Sequence, residues 1–266
     1  MPRAKKTVVV LPNADKDRFK TEKWTKGRDL GAICHPFRLL ALGSVGRGKT
    51  TVLKNIFLEH QISRFPFKEL YIVCPDGSSE WVDASPTQIL HQFPDPDVFN
   101  PKHKTLLVID DFELTGLNTA QKRKLSTLFR YVSSHCNVSI MMSFQSFFDC
   151  PQIARKTANC FCLWRPTSLM ECNQMGNRCG MDKGVLNACF EKYASGDYDS
   201  LLIDRTVGSP APVRKNIYEV IKTLPSGKAK KKSKKVAKKP VKRKKKKKVV
   251  LSSSEESSSE SESSDY

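Results

Sequence analysis

No run of apolar residues in this chain approaches the roughly 20 that a membrane-spanning helix needs. Its polar start, MPRAKK, has none of the apolar core of a secretory signal. A soluble, intracellular protein with no membrane partner is the expectation. Cysteine offers little more. There are nine, an odd number, and none sits in a C-x-x-C pair. Cys74, Cys160 and Cys162 lie in apolar runs and read as reduced core residues. Cys172, Cys179 and Cys189, with His35 and His135 elsewhere, match no usual zinc spacing. Acidic charge is scarce too, with 27 Asp and Glu against 46 Lys and Arg, a formal net charge of +19 over 266 residues.

The excess is unevenly placed. Lys228 to Lys248 carries 15 basic residues and no acid, whereas Leu251 to Tyr266 carries five acids and no base. Taking both tracts away from the formal +19 leaves +9 for the rest. The body is therefore basic in its own right, and its expected partner is a polyanion, nucleic acid ahead of a membrane surface.

What is plainly there is Arg38 to Thr51, RLLALGSVGRGKTT. A short apolar strand runs into Gly43, Ser44, Val45, Gly46, Arg47, Gly48, Lys49 and Thr50, which fit G-x-x-x-x-G-K-[ST], the Walker A or P-loop pattern, without a mismatch. The glycines open backbone angles and leave room for a phosphate chain. Successive N–H groups, through Thr51, then converge on the phosphates at the positive end of the next helix. Lys49 would reach the β/γ-phosphates, and the Thr50 hydroxyl would hold Mg²⁺. Val52, Leu53, Ile56, Phe57 and Leu58 supply the apolar stripe of that helix.

Four domain segments are expected: a basic arm over 1–30, with a short strand at Val8–Leu11; a P-loop domain over 31–225; a disordered Lys-rich tract over 226–250; and a disordered Ser/Glu tail over 251–266. Within the domain, Leu70–Cys74 reads as a buried strand closed by Pro75-Asp76-Gly77. Asp76–Lys104 is irregular, with one short helix near Thr87–Gln92. Thr105–Asp111 is a strand delivering two carboxylates at its end. Asn118 and Gln121 read as a capping box, before a helix with Leu125, Leu128, Phe129 and Val132 on one face that ends near Ser134. Asn137–Phe144 is a strand ending at Gln145. A short helix follows over Cys150–Lys156, then a strand over Ala158–Trp164. Helices at Ser168–Cys179 and Lys183–Tyr193 precede strands at Ser200–Asp204 and Val213–Ile221. Such alternation argues a mostly parallel α/β sandwich with its ligand beyond the strands' C-terminal ends.

Asp110, after the apolar LLVI, is where P-loop NTPases carry the Walker B acid that holds Mg²⁺. Asp111 beside it can polarise an attacking water, with Glu113 as the fallback base. Gln145, at the end of an apolar strand near the P-loop, can orient that water.

The order GSVGRGKTT, LLVIDD, MMSFQS and then Arg155 in IARKTAN resembles the FtsK–HerA superfamily of P-loop ATPases. It looks most like the genome-packaging ATPases of poxviruses, other large DNA viruses, virophages and Polinton-type elements. The resemblance runs from about Phe37 to Ile221. It implies a RecA-like (ASCE) three-layer sandwich and the cofactors ATP and Mg²⁺. It places a polar sensor on Gln145 and an arginine finger, reaching a neighbouring subunit's ATP, on Arg155. Arg165 and Arg214 are rival fingers. It further implies a homo-oligomeric ring, often a hexamer, gripping double-stranded DNA and pumping it into a preformed capsid, with a capsid vertex or portal protein as partner.

Readings of other classes compete. A helicase or replication loader lacks a helicase motif set here, and a small-molecule kinase lacks a clear lid. A DNA-condensing protein that merely binds nucleotide would have no use for Asp111 and Gln145. The charged tail reads as a nuclear import and DNA-tethering signal, with a cytoplasmic virus factory as the alternative location. Phosphorylation of its serines near Glu255, Glu256, Glu260 and Glu262 would let the acidic tail mask the basic tract.

Overall fold

The computed structural model describes residues 33–58, 67–74, 79–110, 112–114, 116–206, 209 and 211–227. The expected basic arm, its Val8–Leu11 strand, and the tracts beyond residue 227 lie outside the described residues. In chain order the strands are β1 (Arg38–Leu42), β2 (Glu69–Val73), β3 (Gln88–Leu90), β4 (Thr105–Ile109), β5 (Val138–Phe144), β6 (Cys160–Trp164), β7 (Ser200–Asp204), β8 (Val213–Lys215) and β9 (Glu219–Val220). They form one sheet in the order β3-β2-β4-β5-β1-β6-β7-β8-β9. From β3 to β6 every pairing is parallel, and β7, β8 and β9 close the sheet antiparallel.

Parallel strands covered on both faces must be apolar almost throughout. TLLVI, VSIMMSF and CFCLW are buried at every residue. Their alternation feeds two cores. Leu40, Leu42, Leu107, Ile109, Ile140 and Met142 point to one face, and Leu39, Ala41, Leu106, Val108 and Met141 to the other.

Helix α1 (Lys49–Leu58) covers the second face with Leu53 and Ile56. The first face is covered by α2 (Thr119–Thr127), its continuation as a π turn (Leu128–Val132) and α3 (Ser133–His135), and by α4 (Gln152–Thr157), α5 (Leu169–Arg178) and α6 (Val185–Tyr193). Leu125, Leu128, Phe129 and Val132 are all buried there, as their spacing predicts. The capping box is present. Asn118 Oδ1 accepts the Gln121 N–H at 2.9 Å, and Gln121 Oε1 accepts the Asn118 N–H at 3.0 Å. No helix among the described residues is long and apolar enough to cross a membrane.

Two expectations are corrected. The segment Thr87–Gln92, read as a short helix, contains β3 instead. The open edge of β2 offers unpaired backbone groups, and the segment satisfies them. The Thr87 N–H donates to Leu70 O at 2.8 Å, and Thr87 Oγ1 accepts the Leu70 N–H at 3.0 Å. Val213–Ile221, read as one strand, is β8 and β9 joined by a turn in which Asn216 (φ 44°) and Ile217 (φ 77°) take left-handed angles. Over the described residues 79–104 the chain is less irregular than expected, since 3-10 turns occupy Ser79–Ala84 and Pro96–Val98.

Candidate functional site

One topological fact organises the site: β5 lies between β1 and β4. The loop after β1, the residue after β5 and the carboxylate after β4 therefore emerge side by side at the C-terminal edge of the sheet. Gly43 extends the β1–β5 pairing by donating its N–H to Phe144 O at 3.1 Å. A Cβ there would stand 2.8 Å from Trp164 Cβ, so the close approach admits only glycine. Gly46 (φ 74°) and Gly48 (φ 78°) turn the chain through left-handed angles into α1.

Ser44, Val45 and Gly46 crest the loop in solvent, and Thr51 is exposed on the first turn of α1. Lys49 is the opposite, only 8% exposed, with its Nζ donating to Ser44 O at 3.1 Å. Its ammonium is thus held beneath the loop whose N–H groups would receive an anion. Arg47 turns aside and pairs with Asp197 at 2.5 Å.

Asp110 follows β4 and is buried, 5% exposed. A carboxylate so placed needs hydrogen-bond donors, and three supply them. Ser143 Oγ donates to Oδ1 at 2.5 Å, while Trp81 Nε1 at 2.9 Å and Thr50 Oγ1 at 3.1 Å both donate to Oδ2. The P-loop hydroxyl and the strand-end acid thus meet across 60 residues of sequence. Paired hard oxygens of this kind suit Mg²⁺, which rarely takes an all-protein cage. Thr50 and Asp110 are the residues that could hold it.

Sequence reasoning missed Trp81 and Ser143. Ser143, one of two hydroxyls in a mostly apolar strand, was a visible signal; Trp81 sits in a segment without periodicity.

Gln145 is exposed just past β5. It lines two hollows: one of about 300 Å³ with Gly43, Ser44, Trp164 and Glu171, and one of about 380 Å³ with Phe112, Glu113, Ser143 and Asp149. It therefore stands between the P-loop and the Asp110 side of the site. The segment behind it is clamped by Glu171, whose carboxylate accepts from Ser146 Oγ at 2.8 Å and from the Phe147 N–H at 2.6 Å. Glu171 occupies the first turn of α5, where a negative charge is favoured. Asp111 lies outside the described residues.

Arg155, on α4, lines neither hollow. Its guanidinium lies 5.1 Å over the Phe147 ring, and its carbonyl accepts the Arg178 Nε–H. It borders a groove with Leu117, Lys122 and Asp149, to which no P-loop residue contributes. Arg165 is half-exposed, 3.7 Å from Glu191. Arg214 is corrected as a rival finger. It is fully buried, 3.7 Å from Asp204, with its Nε donating to Ala211 O, and cannot reach another subunit.

No group of three or more His, Cys, Asp or Glu among the described residues could hold a metal ion. Burial pushes the Cys172 and Cys189 thiols up to about 11 and Cys179 to about 12, keeping them protonated core residues.

Strand, glycine loop, helix and a carboxylate two strands away define a P-loop α/β fold. No family model and no curated protein sequence matches the chain. Its structure is weakly similar to several solved ATPase structures. The DNA-packaging ATPase B204 of Sulfolobus turreted icosahedral virus is 13% identical, with a TM-score of 0.49 over 70% of this chain and 98% of that one. The genome-packaging NTPase B204 of Sulfolobus turreted icosahedral virus 2 is 15% identical, with a TM-score of 0.47 over 70% and 97%. The cytoplasmic domain of the type VII secretion ATPase EccC of Thermomonospora curvata is 12% identical, with a TM-score of 0.41 over 71% and 24%. Likenesses this weak add only a general resemblance to what the chain's own strand order and site define.

Proposed function

We propose that this chain is an ATPase that moves double-stranded DNA, and more narrowly a motor that packages a viral genome into a preformed capsid. The observation that carries the ATPase reading is the meeting of Lys49, Thr50 and Asp110 at one sheet edge, with Gln145 between loop and acid. Lys49 carries the charge of the substrate's terminal phosphates. Thr50 and Asp110 hold Mg²⁺, which when bound neutralises phosphate charge and fixes its orientation. Asp111, or Glu113 in its place, draws the proton from the attacking water, and Gln145 orients that water.

The motor reading rests on the sequence resemblance, on the basic body and on Arg155, which shares no hollow with its own P-loop and would serve a neighbour's. An arginine supplied in trans is worth about 10³–10⁵ in rate in other NTPases, so firing would await assembly of the ring, a hexamer. The ring's basic pore would grip DNA phosphates, and a capsid vertex or portal protein would anchor it. The Lys-rich tract would direct the chain to the nucleus and tether DNA; if deleting 226–266 changes neither location nor salt-sensitive DNA binding, that role is lost.

ATP hydrolysis by the full chain, with and without long double-stranded DNA, tests the reading. Stimulation by DNA that disappears in Lys49→Ala and Asp111→Asn is the expected result. No hydrolysis under any condition would overturn it.

A further inference from the structure

The turn Gly196-Asp197-Tyr198-Asp199, between α6 and β7, is brought against the P-loop from 150 residues away. It is built to stay there. The Asp199 N–H donates to Gly196 O at 3.1 Å, and Asp199 Oδ2 accepts the Gly196 N–H at 3.1 Å. The same carboxylate accepts from Asn216 Nδ2 at 3.0 Å and pairs with Lys215 Nζ at 3.3 Å, fastening the turn to the end of β8. From the other side, Arg47 of the P-loop donates to both Asp197 O (2.8 Å) and Asp197 Oδ1 (2.5 Å).

Between these two fastenings stands Tyr198, 74% exposed. Its ring edge lies 3.9 Å from where a Cβ on Gly48 would be. An aromatic ring is thus held beside the last loop residue before α1 with most of its surface open. Nothing in the core requires it, since the turn is held by polar contacts that do not involve the ring.

We infer that Tyr198 is the platform on which the nucleotide's base stacks. This rests on the nucleotide-site reading of the P-loop. With the phosphates on the loop's N–H groups and Lys49, the ribose and base would leave the loop beside Gly48, where the ring stands. Stacking needs only a π-face and tolerates any base. The polar groups on either side, Asp197 and Asp199, are already engaged with Arg47, Asn216 and Lys215. Base identity should therefore be read weakly.

Calorimetry on the full chain with two Mg²⁺-loaded probes, ATPγS and inorganic tripolyphosphate, separates the possibilities. Tyr198→Ala should weaken ATPγS roughly five- to hundredfold and leave tripolyphosphate unchanged. Tyr198→Phe should restore ATPγS, and GTPγS should lose the same factor. Equal loss of both probes would mean the ring merely props the loop and would overturn the inference. So would unchanged ATPγS affinity, including the case where Tyr198→Ala alters only the oligomeric state. Lys49→Ala is the separate arm: it must lose both probes, and tripolyphosphate binding that survives it would sink the nucleotide-site reading itself.

Discussion

Replacing Trp81 with Phe removes one donor from a carboxylate that has nowhere to find another. Asp110 is 5% exposed and Trp81 fully buried, so water cannot substitute for the lost indole N–H. A hydrogen bond to a charged group is worth about 1.5–3 kcal/mol. The smaller ring also leaves a void worth on the order of 1 kcal/mol. Trp81→Phe should thus lower the unfolding free energy by about 2.5–4 kcal/mol. The two contributions separate in a double-mutant cycle with Asp110→Ala, because the void is common to both backgrounds while the hydrogen bond is not. The coupling energy should be about 1.5–3 kcal/mol. Urea unfolding followed by far-ultraviolet circular dichroism is the assay, since indole fluorescence would change with the substitution itself. The variant should also need several-fold more Mg²⁺ for ATPγS binding, because Trp81 and Thr50 share Oδ2 and fix the carboxylate's direction. A coupling below about 0.5 kcal/mol, the ordinary scatter of additivity, would refute the reasoning.

Three further outcomes are expected. Gly43→Ala drives a methyl to 2.8 Å from Trp164 Cβ, against a side chain 1% exposed, and should cost about 1–3 kcal/mol in thermal or urea unfolding; an unchanged midpoint would refute the contact. His35 is held down to about 3, by burial first and the Lys104 charge second. Its ring is therefore neutral in the fold but charged in the unfolded chain below about pH 6.5. The stability it supports is complete above pH 6.5 and falls by up to about 1.4 kcal/mol per pH unit towards pH 3. His35→Gln should flatten that slope between pH 7 and 5, and an unaltered slope would count against it. Chains carrying Arg155→Ala and chains carrying Lys49→Ala should each be inactive, and mixing them should restore part of the ATPase activity; no recovery would argue against a finger in trans.

The contacts of His35 fix which of its ring nitrogens carries the proton. Ser139 Oγ accepts the Phe37 N–H at 3.0 Å and lies 2.7 Å from His35 Nδ1. Asn137 Nδ2 donates to His103 O, which leaves Asn137 Oδ1 to accept the His35 Nε2–H at 2.9 Å. In the neutral ring Nε2 is therefore the donor, and Nδ1 is left to accept the Ser139 hydroxyl proton.

What could be read in the sequence was what neighbouring residues decide among themselves. The P-loop is such a case, because its glycine angles and its helix start lie within eight consecutive residues. The capping box of Asn118 and Gln121 is another, and so are the buried strands, whose apolar runs are contiguous. Asp110 could be placed at a strand end for the same reason. What surrounds it could not. Trp81 comes from a segment with no period, and only the packing of the Ser79–Ala84 turn over the sheet edge brings its indole to the carboxylate. Thr87–Gln92 went wrong because the open edge of β2 decides its conformation.

Arg214 shows the same limit from the other side. Exposed, it would rival Arg155 as a finger; its burial beside Asp204 follows from the antiparallel pairing of β7 with β8, which no local pattern announces. The order of the strands is the largest such gap. Each of β1, β4 and β5 is visible as a run, yet nothing within any of them says that β5 lies in the middle. That placement puts Ser143 against Asp110 and sets Gln145 between the acid and the phosphate loop. A sensor role for Gln145 therefore depends on sheet order more than on the residue itself, and moving the glutamine one position along the chain should disable it as surely as removing it.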